Sequence, residues 1–69
     1  ISPGTGGSAR VDCSSGELVT GGGFQGTENV QVYTNLPLND HAWIVVGVNE
    51  SPDTNGDLLA YALCEGPFP

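Results

Sequence analysis

Residues 42–48 read AWIVVGV and decide the fold of this chain. Every position is apolar or glycine, so both faces of an extended strand through this run are apolar. The run is rich in β-branched residues and much too short to cross a membrane. It therefore predicts a central β-strand that is covered on both faces.

Shorter strand signals flank this run. Residues 29–34 alternate, with Val30 and Val32 on one predicted face. Residues 58–64 predict the last strand, and residues 10–24 contain two further short apolar stretches separated by a turn. Helical periodicity is nearly absent. The sequence thus predicts an all-β domain, a small antiparallel β-sandwich or barrel of four to six strands.

Turn-forming residues separate the predicted strands. Residues 35–40 contain Pro37 and predict a loop. The dipeptide Asn55-Gly56 predicts a two-residue hairpin turn before the last strand. Three consecutive glycines, residues 21–23, are costly in a strand, so they predict a bulge or bend, or the close approach of a ring such as that of Trp43.

The two cysteines, Cys13 and Cys64, lie near the ends of the strand-rich region. In a small chain with no other metal-ligand cluster they favour a disulfide and an oxidising compartment, the alternative being two separate buried thiols. A disulfide across this loop would contribute about 4 kcal/mol to stability in the entropic model. That contribution matters because 69 residues bury little surface.

Composition divides the chain into three parts. Residues 1–8 are rich in Gly, Ser and Pro and predict a flexible N-terminal arm. Residues 9–65 form the predicted disulfide-closed β domain, and residues 66–69 form a C-terminal tail. The chain begins at Ile1 without Met or an apolar leader, so we expect a removed leader or a fragment of a longer protein.

The net charge of the chain limits the kinds of partner that it can bind. Arg10 is the only cation against eight carboxylates, which gives a net charge of −7. Such a chain repels phosphates, so we expect no nucleic-acid partner and no insertion into membranes. Its acidity is also typical of a soluble extracellular protein.

Four motifs follow one another between about residues 11 and 64. They are Cys13-x-x-Gly16, then Val19-Thr20-Gly21-Gly22-Gly23-Phe24, then Trp43-x-Val45-x-x-x-Asn49, then Leu59-x-Tyr61-Ala62-x-Cys64. This string resembles a small disulfide-closed β module of secreted bacterial and archaeal proteins. The resemblance implies an extracellular β domain with both cysteines paired, and it supplies no catalytic residue. The sequence departs from the module at His41-Ala42, where the module often has glycine.

Two segments carry candidate ligand or modification chemistry. Asp53, Asn55 and Asp57 place oxygen atoms at alternate positions, as in the first half of a calcium loop, although a plain turn explains the same residues. Asn49-Glu50-Ser51 is an N-glycosylation sequon, so Asn49 is a candidate glycan site or an unmodified turn residue. We expect no cofactor other than this candidate calcium ion.

Aromatic residues and the single histidine supply the remaining candidates. Tyr33, Trp43 and Tyr61 could form a ligand platform for sugars, or could serve as core and half-exposed sheet residues. His41 follows Asp40, but no nucleophile motif accompanies them, so we expect a loop histidine and no catalytic residue.

These features predict a non-enzymatic, extracellular structural or interaction module. We expect self-association through the N-terminal arm and sheet edges, as in a self-assembling cell-surface or fibre subunit that exchanges its arm as a strand. The alternatives are a secreted carbohydrate-binding module and a small enzyme inhibitor that displays residues 35–40 as its loop.

Overall fold

The apolar run predicted to be central is the middle strand of the larger of two sheets. The computed structural model describes residues 1–67, which contain five strands: β1 (Gly6–Asp12), β2 (Leu18–Gly26), β3 (Val30–Asn39), β4 (Ala42–Asn49) and β5 (Leu58–Glu65). One sheet has the order β1-β4-β3 and the other pairs β2 with β5, and all pairs are antiparallel. The predicted all-β class is confirmed, and five strands in two sheets form a small sandwich.

The two faces of β4 differ in burial. Val45 is completely buried on the inner face, between the sheets, and Trp43 lies on the same face. Ile44, Val46 and Val48 alternate with them on the outer face and are only half-buried. The prediction of a strand covered on both faces is therefore wrong, since residues 1–67 supply a covering layer on one face only.

The predicted disulfide is confirmed and joins the two sheets. Cys13 directly follows β1 and Cys64 lies in β5, with their sulfur atoms 2.01 Å apart. The same end of the sandwich is tied by main-chain hydrogen bonds. The amide of Cys13 donates to the carbonyl oxygen of His41 at 2.7 Å, and that of Val19 donates to Asp40 at 2.8 Å.

The glycine run lets the sheets approach closely. Gly22 faces the ring of Trp43, and a Cβ atom on Gly22 would lie 2.4 Å from the ring atom Cδ2. The expected packing of Trp43 on the glycine run is thus confirmed. A bulge at Thr20 accompanies it, because the pairing with β5 shifts between Val19 and Gly21. The bulge reverses the alternation of β2 and keeps both Val19 and Gly22 on the inner face.

The first eight residues are part of the fold, so the prediction of a flexible arm at residues 1–8 is wrong. β1 begins at Gly6 and continues the ladder with β4. Ahead of it, Ile1 and Gly56 exchange two hydrogen bonds, at 2.6 and 2.9 Å. The Ile1 side chain also packs on Gly7, where an added Cβ would lie 3.0 Å from Cγ1. The glycine-rich composition suggested flexibility, but a bare glycine backbone also accepts a close neighbour.

Two predicted turns are also wrong. Residues 35–40 do not form a loop, because β3 extends to Asn39; Pro37 is tolerated there since β3 is an edge strand of its sheet. Asn55-Gly56 does not form a hairpin turn, because β4 and β5 belong to different sheets. Neither residue has the positive φ that a type I′ turn requires.

The C-terminal boundary follows the last strand. β5 ends at Glu65, and Gly66 and Pro67 continue from it. The other two residues of the predicted tail, Phe68 and Pro69, lie outside the described residues. Among residues 1–67 there is no helix long and apolar enough to span a membrane.

The sandwich is long and thin. Its Cα atoms extend 49 × 14 × 14 Å, and its radius of gyration of 13.5 Å exceeds the about 11 Å expected for a chain of this length. Ala42 and Val45 are the only fully buried apolar residues in the described part of the chain. The core is therefore small, and most apolar side chains keep some contact with solvent.

The close approach at Gly22 predicts a large difference between two neighbouring glycine substitutions. We expect Gly22→Ala to destabilise the fold by about 3 kcal/mol or more, because the new methyl group would overlap both Trp43 and the Tyr61 carbonyl oxygen. Gly21→Ala is the matched control, because its Cβ would meet Leu63 at an ordinary 3.5 Å. Urea unfolding followed by tryptophan fluorescence measures both; equal destabilisation would contradict this packing.

Candidate interaction surface

The outer face of the two-stranded sheet carries an apolar stripe. Leu59, Tyr61 and Leu63 alternate along β5 and remain 59%, 51% and 62% exposed. The residues between them, Ala60 and Ala62, point inward and are half-buried. From Leu59 to Leu63, the larger side chains of β5 thus face solvent, while the small ones pack between the sheets.

Glycines on β2 explain the form of this surface. Leu63 lies opposite Gly21, and Tyr61 lies opposite Gly23. The Tyr61 ring covers Gly23, since an added Cβ there would lie 2.6 Å from the phenol oxygen, and Gly23 is buried although it faces outward. With no side chains beside it, the stripe forms a flat apolar surface.

Charged residues are absent from the middle of this outer face. From Leu59 to Leu63, the positions on the outer face of both strands are uncharged; the β2 positions are Gln25, Gly23 and Gly21. Carboxylates lie beyond the two ends of the stripe, at Asp57 and Glu65. Since the chain has a net charge of −7, an uncharged strip of this length lets another acidic protein approach without facing a carboxylate at the centre of the contact.

The outer face of the three-stranded sheet is mixed in character. Leu36 and Ile44 lie side by side there, but Arg10 is the third residue of the same row. Its guanidinium forms an ion pair with Asp12 at 2.8 Å, and the hydrogen bond and charge of Asp12 raise the pKa of Arg10. This face therefore combines the exposed Leu36 and the half-buried Ile44 with an exposed ion pair.

The three aromatic residues predicted as a ligand platform do not share one surface. Trp43 lies between the sheets, and its Nε1 donates a 2.8 Å hydrogen bond to Asn35 Oδ1. Tyr61 lies on the outer face of the smaller sheet. Tyr33 is the extra residue of a bulge in β3, in the other sheet, and is 67% exposed. The three-ring platform is therefore wrong, and Tyr61 alone belongs to the apolar stripe.

Asn49 is a structural residue, and the prediction of a glycan there is wrong. Its side chain is 0% exposed. Its Nδ2 donates to the carbonyl oxygens of Ile1 (2.9 Å) and Thr54 (2.7 Å), and its Oδ1 accepts from Ser51 N and Asn29 Nδ2. A glycan on Nδ2 would replace these bonds and has no space in the folded domain. Asn49 instead holds the N-terminal segment against the β4–β5 connection.

The candidate calcium residues lie in that connection. Asp53 Oδ1 accepts hydrogen bonds from Ser51 Oγ (3.3 Å) and Thr54 Oγ1 (3.1 Å), and the main-chain carbonyl of Asn55 accepts from Asn29. Asp57 is bonded through its main chain to Thr27. In residues 1–67 no three His, Cys, Asp or Glu side chains come together as a metal site. Calcium binding stays a prediction, and these local hydrogen bonds explain the turn without it.

His41 occupies the turn between β3 and β4, as expected of a loop histidine. Its Nδ1 lies 2.7 Å from the carbonyl oxygen of Glu17, so the ring donates to that oxygen and holds the segment before β2. The main-chain amide of His41 donates to Asn39 Oδ1 at 2.7 Å. The described residues enclose no pocket near this turn or elsewhere.

Sequence reasoning selected Tyr61 but missed Leu59 and Leu63 beside it. The only local signal was a contrast between the two sides of residues 58–64, and it did not give the direction of either side. Leu59, Tyr61 and Leu63 lie on one side, and Ala60 and Ala62 lie between Leu58 and Cys64 on the other. Ordinary burial preferences assign the large side to the core. Here Trp43 fills the space between the sheets, so β5 must present its small side inward.

Searches against models of protein families, curated proteins and solved structures found no match to this chain. The resemblance to secreted β modules stays a prediction.

The hydrogen bonds of Asn49 predict a large effect of its removal. We expect Asn49→Ala to destabilise the domain by about 3 kcal/mol, because it leaves buried donors and acceptors without partners. Asn55→Ala, at an exposed position in the same connection, is the control and should change stability by under about 0.5 kcal/mol. Thermal unfolding compares them; similar losses for both variants would show that Asn49 has no special structural role.

Proposed function

We propose that this domain is a non-enzymatic, extracellular structural module that associates with copies of itself through the apolar stripe Leu59–Tyr61–Leu63. The observation that carries the proposal is the exposure of these three large side chains on an uncharged sheet face. Contiguous apolar surface of this kind is typical of protein interaction sites. The small core supports the proposal, because a partner would bury side chains that the domain alone leaves in water.

An extracellular location is part of this proposal. The disulfide between Cys13 and Cys64 supports it, because such bonds persist in oxidising compartments. The excess of carboxylates over cations supports it further. The resemblance of the chain to secreted β modules agrees with both.

The size of the stripe indicates weak association. Covering the exposed parts of Leu59, Tyr61 and Leu63 would contribute about 1.3 kcal/mol each. Two copies together would gain about 8 kcal/mol, of which about 4 kcal/mol is lost when two molecules associate. The net gain of about 4 kcal/mol corresponds to a dissociation constant of about 1 mM. Such a contact becomes effective when many copies are held close together, as on a surface or in a longer chain.

Association by strand exchange is not part of the proposal. The contacts of residues 1–8 are intramolecular: β1 is paired with β4, and Ile1 is bonded to Gly56. Donating this segment to a neighbour would break those hydrogen bonds within the donor. Packing of preformed sheet faces needs no such rearrangement.

No observation supports either alternative function, the carbohydrate-binding module or the enzyme inhibitor. Trp43 lies between the sheets, so it is not part of an exposed platform for carbohydrate. An inhibitor loop at residues 35–40 is replaced by the paired second half of β3. Self-association therefore remains the proposal with the most support.

A charge placed in the stripe should abolish association without unfolding the domain. We expect wild-type protein at about 1 mM to contain dimers or larger species in sedimentation experiments, and Leu63→Glu to be monomeric, because a desolvated carboxylate opposes apolar contact. Leu36→Glu is the matched control on the outer face of the other sheet. It should associate as the wild type does.

Circular dichroism would verify that both variants keep the strand content of the wild type. A wild-type protein that stays monomeric up to this concentration would contradict the proposed function. Loss of association in Leu36→Glu but not in Leu63→Glu would show that the contact lies on the three-stranded sheet instead.

A further inference from the structure

The stripe has the same residue pattern in both directions along β5. It reads Leu59, Tyr61, Leu63, with one inward residue between each pair, so Tyr61 is its centre. A two-fold axis that passes through the centre of such a pattern and runs across the strands brings each leucine of one copy onto the other leucine of its partner. The pattern is therefore complementary to itself in the antiparallel orientation.

We infer that two copies of this chain pack face to face about a two-fold axis at Tyr61, with Leu59 of each copy against Leu63 of the other. This inference rests on the proposed function, since it specifies the partner surface and the orientation of the same contact. The two Tyr61 rings meet at the axis.

The form of the surface suits this packing. Because the Tyr61 ring covers Gly23, the centre of the face is flat and carries no projecting neighbour on β2. Flat sheet faces stack about 10 Å apart when their apolar side chains fill the space between them. A ring that already lies on its own sheet also loses little side-chain freedom when a second sheet covers it.

Charge favours this face over the other. The outer face of the three-stranded sheet carries the Arg10–Asp12 ion pair, with both side chains about half exposed, and these charges would have to be desolvated. The stripe has no charge between its ends. The two-fold axis does bring Glu65 of one copy toward the end that carries Asp57 in the other, so salt should strengthen the dimer by screening this repulsion.

The two-fold arrangement also fixes what kind of assembly this face can make. A contact in which both copies use the same surface is complete once it has formed, so it yields a closed dimer. A head-to-tail stack of one sheet on the opposite sheet of the next copy would instead continue into a fibre. Fibre growth would need a second contact elsewhere on the domain.

Cross-linking through single introduced thiols distinguishes these orientations. All cysteines of the described chain are in the disulfide, so Leu59→Cys or Leu63→Cys adds a single thiol at an exposed position and leaves Tyr61 in place. One variant carries a mass tag, and the two are treated with a short bis-maleimide, separately and mixed, at about 1 mM protein in about 0.5 M NaCl, where charge repulsion is screened. Leu36→Cys is the control for the other face.

We expect mixed 59–63 dimers to exceed 59–59 and 63–63 dimers by about fivefold, because only the mixed pair meets across the axis. Equal or greater yields of the 59–59 and 63–63 dimers would overturn the antiparallel orientation of the two copies while leaving self-association intact. Preferential cross-linking of Leu36→Cys would overturn the choice of face. No cross-linking in any sample, together with a monomeric wild type in sedimentation, would overturn the proposed function as well.

Discussion

The packing of Trp43 on Gly22 determines how the two sheets of this domain are arranged. The ring fills the space between the sheets so closely that no side chain could replace the hydrogen atom of Gly22. A core this thin holds few large residues, and among residues 1–67 only Ala42 and Val45 are fully buried apolar groups. The disulfide at one end and the buried Asn49 at the other hold the same two sheets together where apolar packing is sparse.

This arrangement explains why the domain presents an apolar face to solvent. With the indole ring against β2, the middle of the neighbouring strand β5 has room inside only for Ala60 and Ala62. The larger residues of that stretch, Leu59, Tyr61 and Leu63, must then point outward. The glycines that admit Trp43 on one side also allow Tyr61 to lie flat on the other. The interior packing and the proposed contact surface are therefore two consequences of one glycine run.

The sequence predicted the strands, the disulfide and the position of Trp43, because local periodicity and composition determine them. It did not predict features that depend on distant neighbours. Asn55-Gly56 has the residues of a hairpin turn, but its flanking strands pair with other partners. Asn49 lies in a glycosylation sequon, but its side-chain amide donates hydrogen bonds to the carbonyl oxygens of Ile1 and Thr54. The outward direction of Leu59 and Leu63 depends on what fills the space between the sheets, and no pattern within β5 contains that information.

The central claim is that the outer face of β2 and β5 is the contact surface, and a dilution series of amide NMR spectra tests it most directly. Raising the protein concentration to about 1 mM should shift the signals of residues 59–63 and of the facing glycines in β2, since a weak contact is populated only at high concentration. Signals of β1 and β4 should stay constant. Shifts confined to β1 and β4, or spectra that do not change with concentration, would contradict the claim.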